Sequence, residues 1–339
     1  MVSIKDVARL AGVSDKTVSR VVNKEPNVHA DTLQRVEAAI VSLGYVPNMA
    51  ARLIRSNRSR TFGIITDFIS TTPYSGDIVR GIQDWANANG RTVFLANTNG
   101  SLERERETWR TFQSHRIDGV LYVTMYHRVI DPESGDVHIP TVLVNCRPGP
   151  NRSYVSIEPD DFQGSRDLTK YLLEQGHRRI GYIRLNPRLL GAQLRYEAFR
   201  EAIRDAGLSE QNLNVRLGMD GQIGEENNYV FAAATEILTQ PERPTAIMCG
   251  NDEMALQAYI AALSLGLSIP TDVSIVGFDD FRTVSHALKP ELTTAALPYY
   301  DLGYCSAERL ERLLEGEDLD PKHATLPCRL VERGSVGAI

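Results

Sequence analysis

Cysteine is scarce in this chain. The four residues, Cys146, Cys249, Cys305 and Cys328, are widely spaced among 339, and no Cys-x-x-Cys pair exists. That excludes a disulfide scaffold and a zinc ribbon, and the four are expected as reduced thiols in small apolar roles. No apolar run reaches 18 residues, and no charged-then-apolar stretch opens the chain. Neither a membrane span nor a secretory leader is therefore expected, and the chain reads as soluble and cytoplasmic. The phosphate loop G-x-x-x-x-G-K-[ST], a G-x-G-x-x-G after a strand and the G-x-S-x-G elbow are all missing, which weakens an enzymatic reading. The seven histidines are scattered without metal-ligand spacing, so no metal and no cofactor is expected. Tryptophan is rare too: Trp85 and Trp109 stand at helical spacing and read as core or lobe surface.

Charge is present but unevenly placed. The net value of -6 hides ten Lys/Arg against five Asp/Glu in residues 1–60, and 27 against 38 in the rest. A small basic head on an acidic body suits phosphate contact by the head alone. Within that head, Val7, Ala8 and Leu10, then Val13, Val18, Val21 and Val22, keep helical spacing on either side of Gly12. Gly12 offers the backbone freedom of a sharp reversal, and Ser3 and Ser14 stand where N-caps belong. The pattern is a helix-turn-helix whose second helix, roughly residues 15–22, fits a DNA major groove. A third amphipathic helix is expected over about 31–43, with Leu33, Val36, Ile40 and Leu43 on one face.

Asp6 to Asn23 matches D-V-A-x-x-A-G-V-S-x-x-T-V-S-R-V-x-N almost completely, and Tyr-x-Pro-Asn follows at Tyr45 to Asn48. On these residues the chain closely resembles the LacI/GalR family of bacterial transcription regulators. The resemblance covers essentially the whole chain and is most specific in residues 3–60. It implies an N-terminal all-α helix-turn-helix head with a hinge helix. An α/β periplasmic-binding-protein-like body of two doubly wound parallel-sheet lobes would follow. By analogy with the family, Asp15, Lys16 and Arg20 would read bases, and Thr17, Ser19 and Asn23 suit the DNA backbone. For Asp15 the plainer alternative is a charge favouring a helix N-terminus. In the hinge, Met49–Arg55 is too short to be stable alone. Its Ala51, Leu53 and Ile54 would lie at the minor groove, either Leu53 or Ile54 acting as the wedge.

From Thr61 strands alternate with helices, and after about Asp160 the alternation restarts, which means two parallel-sheet lobes with a cleft between them. The expected divisions are a head over 1–46, a joint over 47–60, one lobe from 61–160 and 292–322, and a second from 161–291 and 323–339. The placing of the last segments follows from the resemblance, not from pattern. Three stretches read as cleft wall: Arg195 by analogy with the family, Asn251 after one strand and Asp279 after another. Asp252 and Asp280 beside them read as capping and lobe-internal groups. On lobe one, Tyr74, Ser75, Thr124, Tyr126, Asn145 and Arg147 stand at strand tips, where a tyrosine is as often plain packing. The resemblance implies an aromatic between Arg195 and Asn251, but residues 221–226 contain none; Glu225 is expected in that space, which points to a polar, hydroxyl-rich ligand rather than a purine.

These readings imply a sequence-specific repressor acting on an inverted-repeat, double-stranded DNA operator. The resemblance implies a small sugar effector, a mono- or disaccharide or glucoside, with sucrose among the candidates. A corepressor-dependent or activating regulator with a non-sugar effector is the alternative; a sugar receptor or an enzyme belongs to a different class. The short tail 334–339 has no leucine heptad, so the C-terminal tetramer-forming helix of the family's namesake is expected to be absent and the chain to form a homodimer.

Overall fold

The computed structural model describes residues 2–22, 26, 28–45, 59–68, 75–150, 152–209 and 213–339. The chain divides into two units, Met1–Ser59 and Arg60–Ile339. The expectations for Asn23, for Ala51, Leu53 and Ile54 of the joint, and for Tyr74 lie outside the described residues, as does the side chain of Ser75.

Three helices form the head: α1 (Ile4–Ala11), α2 (Asp15–Val22) and α3 (Ala30–Leu43). The Asp6 carboxylate reaches back to the Ser3 amide at 3.0 Å and hydroxyl at 2.7 Å, closing the first turn of α1. Gly12 ends α1 at φ 66°, a left-handed conformation that a side chain would strain. Ser14 then accepts from the Thr17 amide at 3.1 Å and starts α2. Val7, Ala8 and Ala11 pack with Val18, Val21 and Val36 in a small core. Two residues depart from the expected apolar faces: Leu10 is 55% exposed and Leu33 is also exposed. Each lies off the side where the three helices converge.

The second unit holds two six-stranded sheets. The first lobe begins with β1 (Thr61–Thr66), α4 (Ser75–Ala88), β2 (Thr92–Asn97) and α5 (Leu102–Ser114), then β3 (Gly119–Ile130), β4 (Thr141–Pro148) and β5 (Val155–Asp160). The second continues with α6 (Asp161–Glu174), β6 (Ile180–Arg184), α7 (Leu190–Asp205), β7 (Asn214–Leu217) and the hairpin β8 (Met219–Gln222) and β9 (Glu225–Asn228). It runs on through α8 (Val230–Leu238), β10 (Ala246–Cys249), α9 (Asp252–Ser264), β11 (Ser274–Asp279) and α10 (Arg282–Ser285). The closing elements are β12 (Thr293–Ala296), α11 (Tyr299–Leu314), β13 (His323–Pro327) and β14 (Arg329–Val331). The sheet orders are β13-β5-β4-β3-β1-β2 and β14-β12-β11-β10-β6-β7. β1 is buried along its whole length, as a parallel strand covered on both faces must be.

The strand registers correct the lobe boundaries expected from sequence. β12, expected in lobe one as part of 292–322, pairs parallel with β11 of the second sheet. β13, expected in lobe two as part of 323–339, pairs parallel with β5 of the first. At Cys328 the chain leaves β13, and β14 runs antiparallel to β12. Alternation reveals a strand but not the sheet it joins. α11 does pack on lobe one, where Leu302 and Leu310 meet Phe62 and Ile64. The chain thus crosses between lobes at 160–161, 297–298 and 328.

Candidate functional site

Two surfaces carry the predicted chemistry, one in each unit. On the head, Lys16 is exposed at the start of α2, with Asp15, Thr17, Ser19 and Arg20 half-buried. Thr17 shares its hydroxyl with Ser14 at 2.9 Å, so it belongs partly to the cap. Arg20 donates from Nη2 to the Pro26 carbonyl at 3.2 Å.

In the body, a cavity of about 780 Å3, its open mouth included, lies between the lobes. Five of the sequence-predicted residues line it: Arg195, Asn251, Asp279, Tyr126 and Asn145. Thr124 does not; it is fully buried and donates to the carbonyls of Asn145 at 2.8 Å and Tyr126 at 3.1 Å. Arg147 is not among the lining residues either and binds Glu158 instead. Glu225 points outward, and its neighbour Glu226 lines the cavity in its place. Adjacent residues of a strand face opposite ways, so the hairpin register decides between them.

Irregular backbone aims the lobe-one side chains. The β3–β4 register shifts between Val123 and Arg128, so the intervening residues leave the regular pleat and Tyr126 and His127 face the cavity. Asn145, at φ 59°, turns its amide nitrogen onto the Thr124 and Met125 carbonyls, each at 3.0 Å. From lobe two, Asn251 caps α9 by accepting from the Met254 amide at 2.9 Å. Asp252 is lobe-internal, accepting from the Phe281 amide and the Thr294 hydroxyl, and Asp280 accepts from Ser285 and Arg333.

Arg195 is the centre of the site. It is 6% exposed. Nε meets Asp161 Oδ1 at 2.6 Å, Nη1 donates to the Gly250 carbonyl at 2.7 Å and lies 3.3 Å from Asp279 Oδ1. The guanidinium stacks 3.8 Å above the Phe278 ring centroid, which keeps its plane fixed. Behind it runs a chain of charge that pattern did not disclose. Asp161 Oδ2 lies 2.6 Å from His127 Nδ1, His127 Nε2 lies 3.0 Å from Glu158 Oε2, and Glu158 is also gripped by Arg147.

The electrostatics follow from this packing. Burial alone would depress the His127 imidazole, but its hydrogen bonds to Asp161 and Glu158 outweigh that and hold it up to about 9. Asp161 is fully buried, yet the Arg195 charge and the His127 bond keep it below the usual carboxylate range. Asp279 goes the other way. Burial pushes its carboxyl up to about 7, Arg195 opposing and Asp161 and Glu253 adding. Sequence reasoning missed His127, Asp161, Glu158 and Tyr299. The run Glu158-Pro-Asp-Asp161 was a signal, since three carboxylates fall where one lobe ends and the other begins.

Chemically, the cavity offers two cations, Arg195 and His127, with carboxylates, amides and two tyrosines, Tyr126 and Tyr299. That suits orientation of a polar ligand by hydrogen bonds. Among the described residues no cluster of His, Cys, Asp and Glu could hold a metal ion, and no helix is long and apolar enough to cross a membrane.

Residues 3–48 match the model of bacterial regulatory proteins of the lacI family, and residues 169–336 that of a periplasmic-binding-protein-like domain. The ribose operon repressor of Escherichia coli K12 is 34% identical over 337 residues, 99% of this chain and 100% of that protein. A LacI-family regulator protein from Rhizobium etli is 70% identical, with TM-score 0.80, over 83% of this chain and 100% of that one. A lac repressor dimer bound to operator and the anti-inducer ONPF is 28% identical, with TM-score 0.79, over 99% of both chains. These relatives are regulators, not enzymes. A helix-turn-helix head joined to a two-lobed body, matched from end to end by such a repressor, makes this chain a member of the lacI family: a transcriptional repressor with an effector-binding domain.

Proposed function

We propose that the protein is a dimeric repressor that leaves or holds an inverted-repeat operator according to whether a small sugar occupies the cleft. The observation that carries this reading is the meeting of Arg195 and Asp279 at 3.3 Å in a cavity between two lobes that the chain crosses three times. A cationic fork beside a carboxylate suits adjacent hydroxyls, each of which both donates and accepts. Tyr126 and Tyr299 offer apolar faces to a sugar ring. Asn145 and Asn251 complete the polar set, and Glu226 takes the place first expected of Glu225. The ribose operon repressor, by its name, belongs to a sugar system, which supports the class of ligand.

At the DNA, Lys16 and Arg20 would read bases with Asp15 beside them, while Thr17, Ser19 and Asn23 hold the backbone. The joint around Ala51, Leu53 and Ile54 would order on the operator. An effector that binds one arrangement of the lobes better than the other changes the spacing of two heads by population shift. A coupling of about 2–3 kcal/mol per dimer changes operator affinity some tens of times. Induction rather than corepression is the reading for a sugar.

A thermal-shift screen of mono- and disaccharides on the full chain tests this, followed by gel shift on the protein's own upstream DNA with each hit. The expected result is a sugar that raises the melting temperature and releases the duplex. A dimer indifferent to every specific duplex, with or without sugars, would overturn the reading.

A further inference from the structure

The cavity's charge goes further than its shape. Two cations line it, Arg195 and His127, and each already faces two carboxylates: Asp161 and Asp279 for Arg195, Asp161 and Glu158 for His127. Among the described ion pairs, Glu226 and Glu253 line the same space without a cation against either; Glu226 Oε2 accepts from the Gly224 amide at 3.0 Å. With Arg147 included on Glu158, three cations stand against five carboxylates. The excess is felt inside the cavity: the Tyr126 hydroxyl is pushed up to about 12 by burial and then by Glu226, Glu253, Asp67 and Asp279.

Two buried groups point to what fills this space. Arg195 and Asp279 are 6% and 7% exposed, and both line the cavity. Arg195 Nη2 and Asp279 Oδ2 make no hydrogen bond to a described residue, while their other polar atoms are engaged. One donor and one acceptor thus stand side by side, which a hydroxyl satisfies at once. A phosphate or carboxylate would answer the donor but press its charge against Asp279, Glu253 and Glu226.

We propose that the cleft selects a hydroxylated effector without negative charge, neutral or bearing a protonated amine, and rejects phosphorylated and carboxylated sugars of the same ring. This rests on the sugar-effector reading above. A protonated amine gains from the surplus carboxylates, whereas an acid finds every lining cation already paired.

The test is a matched panel on the full chain. For glucose, galactose and ribose rings, the neutral, amino, uronic-acid and phosphorylated forms are compared by thermal shift and then by calorimetric titration. The neutral or amino member of a ring is expected to bind at least about tenfold tighter than its acidic counterparts. The Glu226→Gln, Glu253→Gln double variant narrows that ratio about tenfold, because both side chains stand near the mouth and their loss does not touch the core. An acidic form that binds as tightly as its neutral counterpart overturns the proposal while leaving a sugar effector standing. If no member of any class binds, the sugar reading itself falls, and this inference with it.

Discussion

His127 Nδ1 lies 2.6 Å from Asp161 Oδ2, and both side chains are buried. His127 belongs to a strand of the first lobe, Asp161 opens the first helix of the second. The pair therefore ties the lobes together directly behind Arg195, whose Nε holds the other Asp161 oxygen. The position of Arg195 and this contact between the lobes rest on the same carboxylate.

Breaking this tie is expected to be costly. His127→Asn leaves Asp161 and Glu158 buried with one cation fewer, at about 3–5 kcal/mol. The wild-type pair also titrates. The imidazole moves from its ordinary 6.5 up to about 9 in the fold, so its contribution is whole below pH 6.5 and disappears as pH climbs through 9. A shift of that size corresponds to about 3 kcal/mol. Urea unfolding at pH 6 and pH 9.5 measures it: wild type should lose that much more than His127→Asn, and equal losses would rule out a proton-linked tie.

Asp279 should show the opposite use of burial. Its carboxyl is pushed up to about 7, so it costs stability as pH rises from the ordinary carboxylate range through 7. The ionised form is the better acceptor for ligand hydroxyls. Effector affinity is therefore expected to increase between pH 6 and 8, and Asp279→Asn to flatten that profile while weakening binding about a hundredfold, or about 3 kcal/mol. Calorimetric titration across this range decides it; an unchanged profile in Asp279→Asn would place the acceptor elsewhere.

What could be foreseen depended on whether the cause was local. Gly12 and Ser14 announce a turn and a cap because both act within four residues. The alternation of strands and helices marked two lobes for the same reason. The sheets joined by β12 and β13 could not be foreseen, since pairing partners lie far off in sequence. Glu225 and Glu226 differ only in hairpin parity. His127 is one histidine in an apolar strand, and nothing near it in sequence reveals Asp161 opposite. Asn251 and Asp279 were legible because strand ends of a two-lobed fold converge on the cleft, whereas Arg195, inside a helix, was legible only through the family resemblance.

At the DNA end, Lys16 and Arg20 should separate. Lys16 is exposed, and Lys16→Ala is expected to cost about 1–3 kcal/mol of operator affinity with relaxed base preference and no change in the head's stability. Arg20 also holds the Pro26 carbonyl at 3.2 Å, so Arg20→Ala should lower both affinity and head stability. Gel shifts at two salt concentrations, with circular dichroism of each variant, distinguish the roles. Operator binding by Arg20→Ala as tight as wild type would remove it from the reading face.

A last prediction links packing to the site. α4 and α11 touch backbone to backbone: a Cβ on Gly303 would overlap the Ile78 carbonyl, and one on Gly81 the Tyr300 carbonyl. Neither obstacle is a flexible side chain, so Gly303→Ala must push the helices apart, at about 3 kcal/mol or more. α11 starts at Tyr299, which lines the cavity four residues before Gly303. The same substitution should therefore weaken effector binding without touching a ligand-facing group. Gly316→Ala is the control. It lies past the end of α11 at φ 85° with open space where a Cβ would stand, so it should show only backbone strain of about 1 kcal/mol and unchanged affinity. If thermal unfolding and calorimetric titration find both variants equally mild, the helix contact does not set the position of Tyr299.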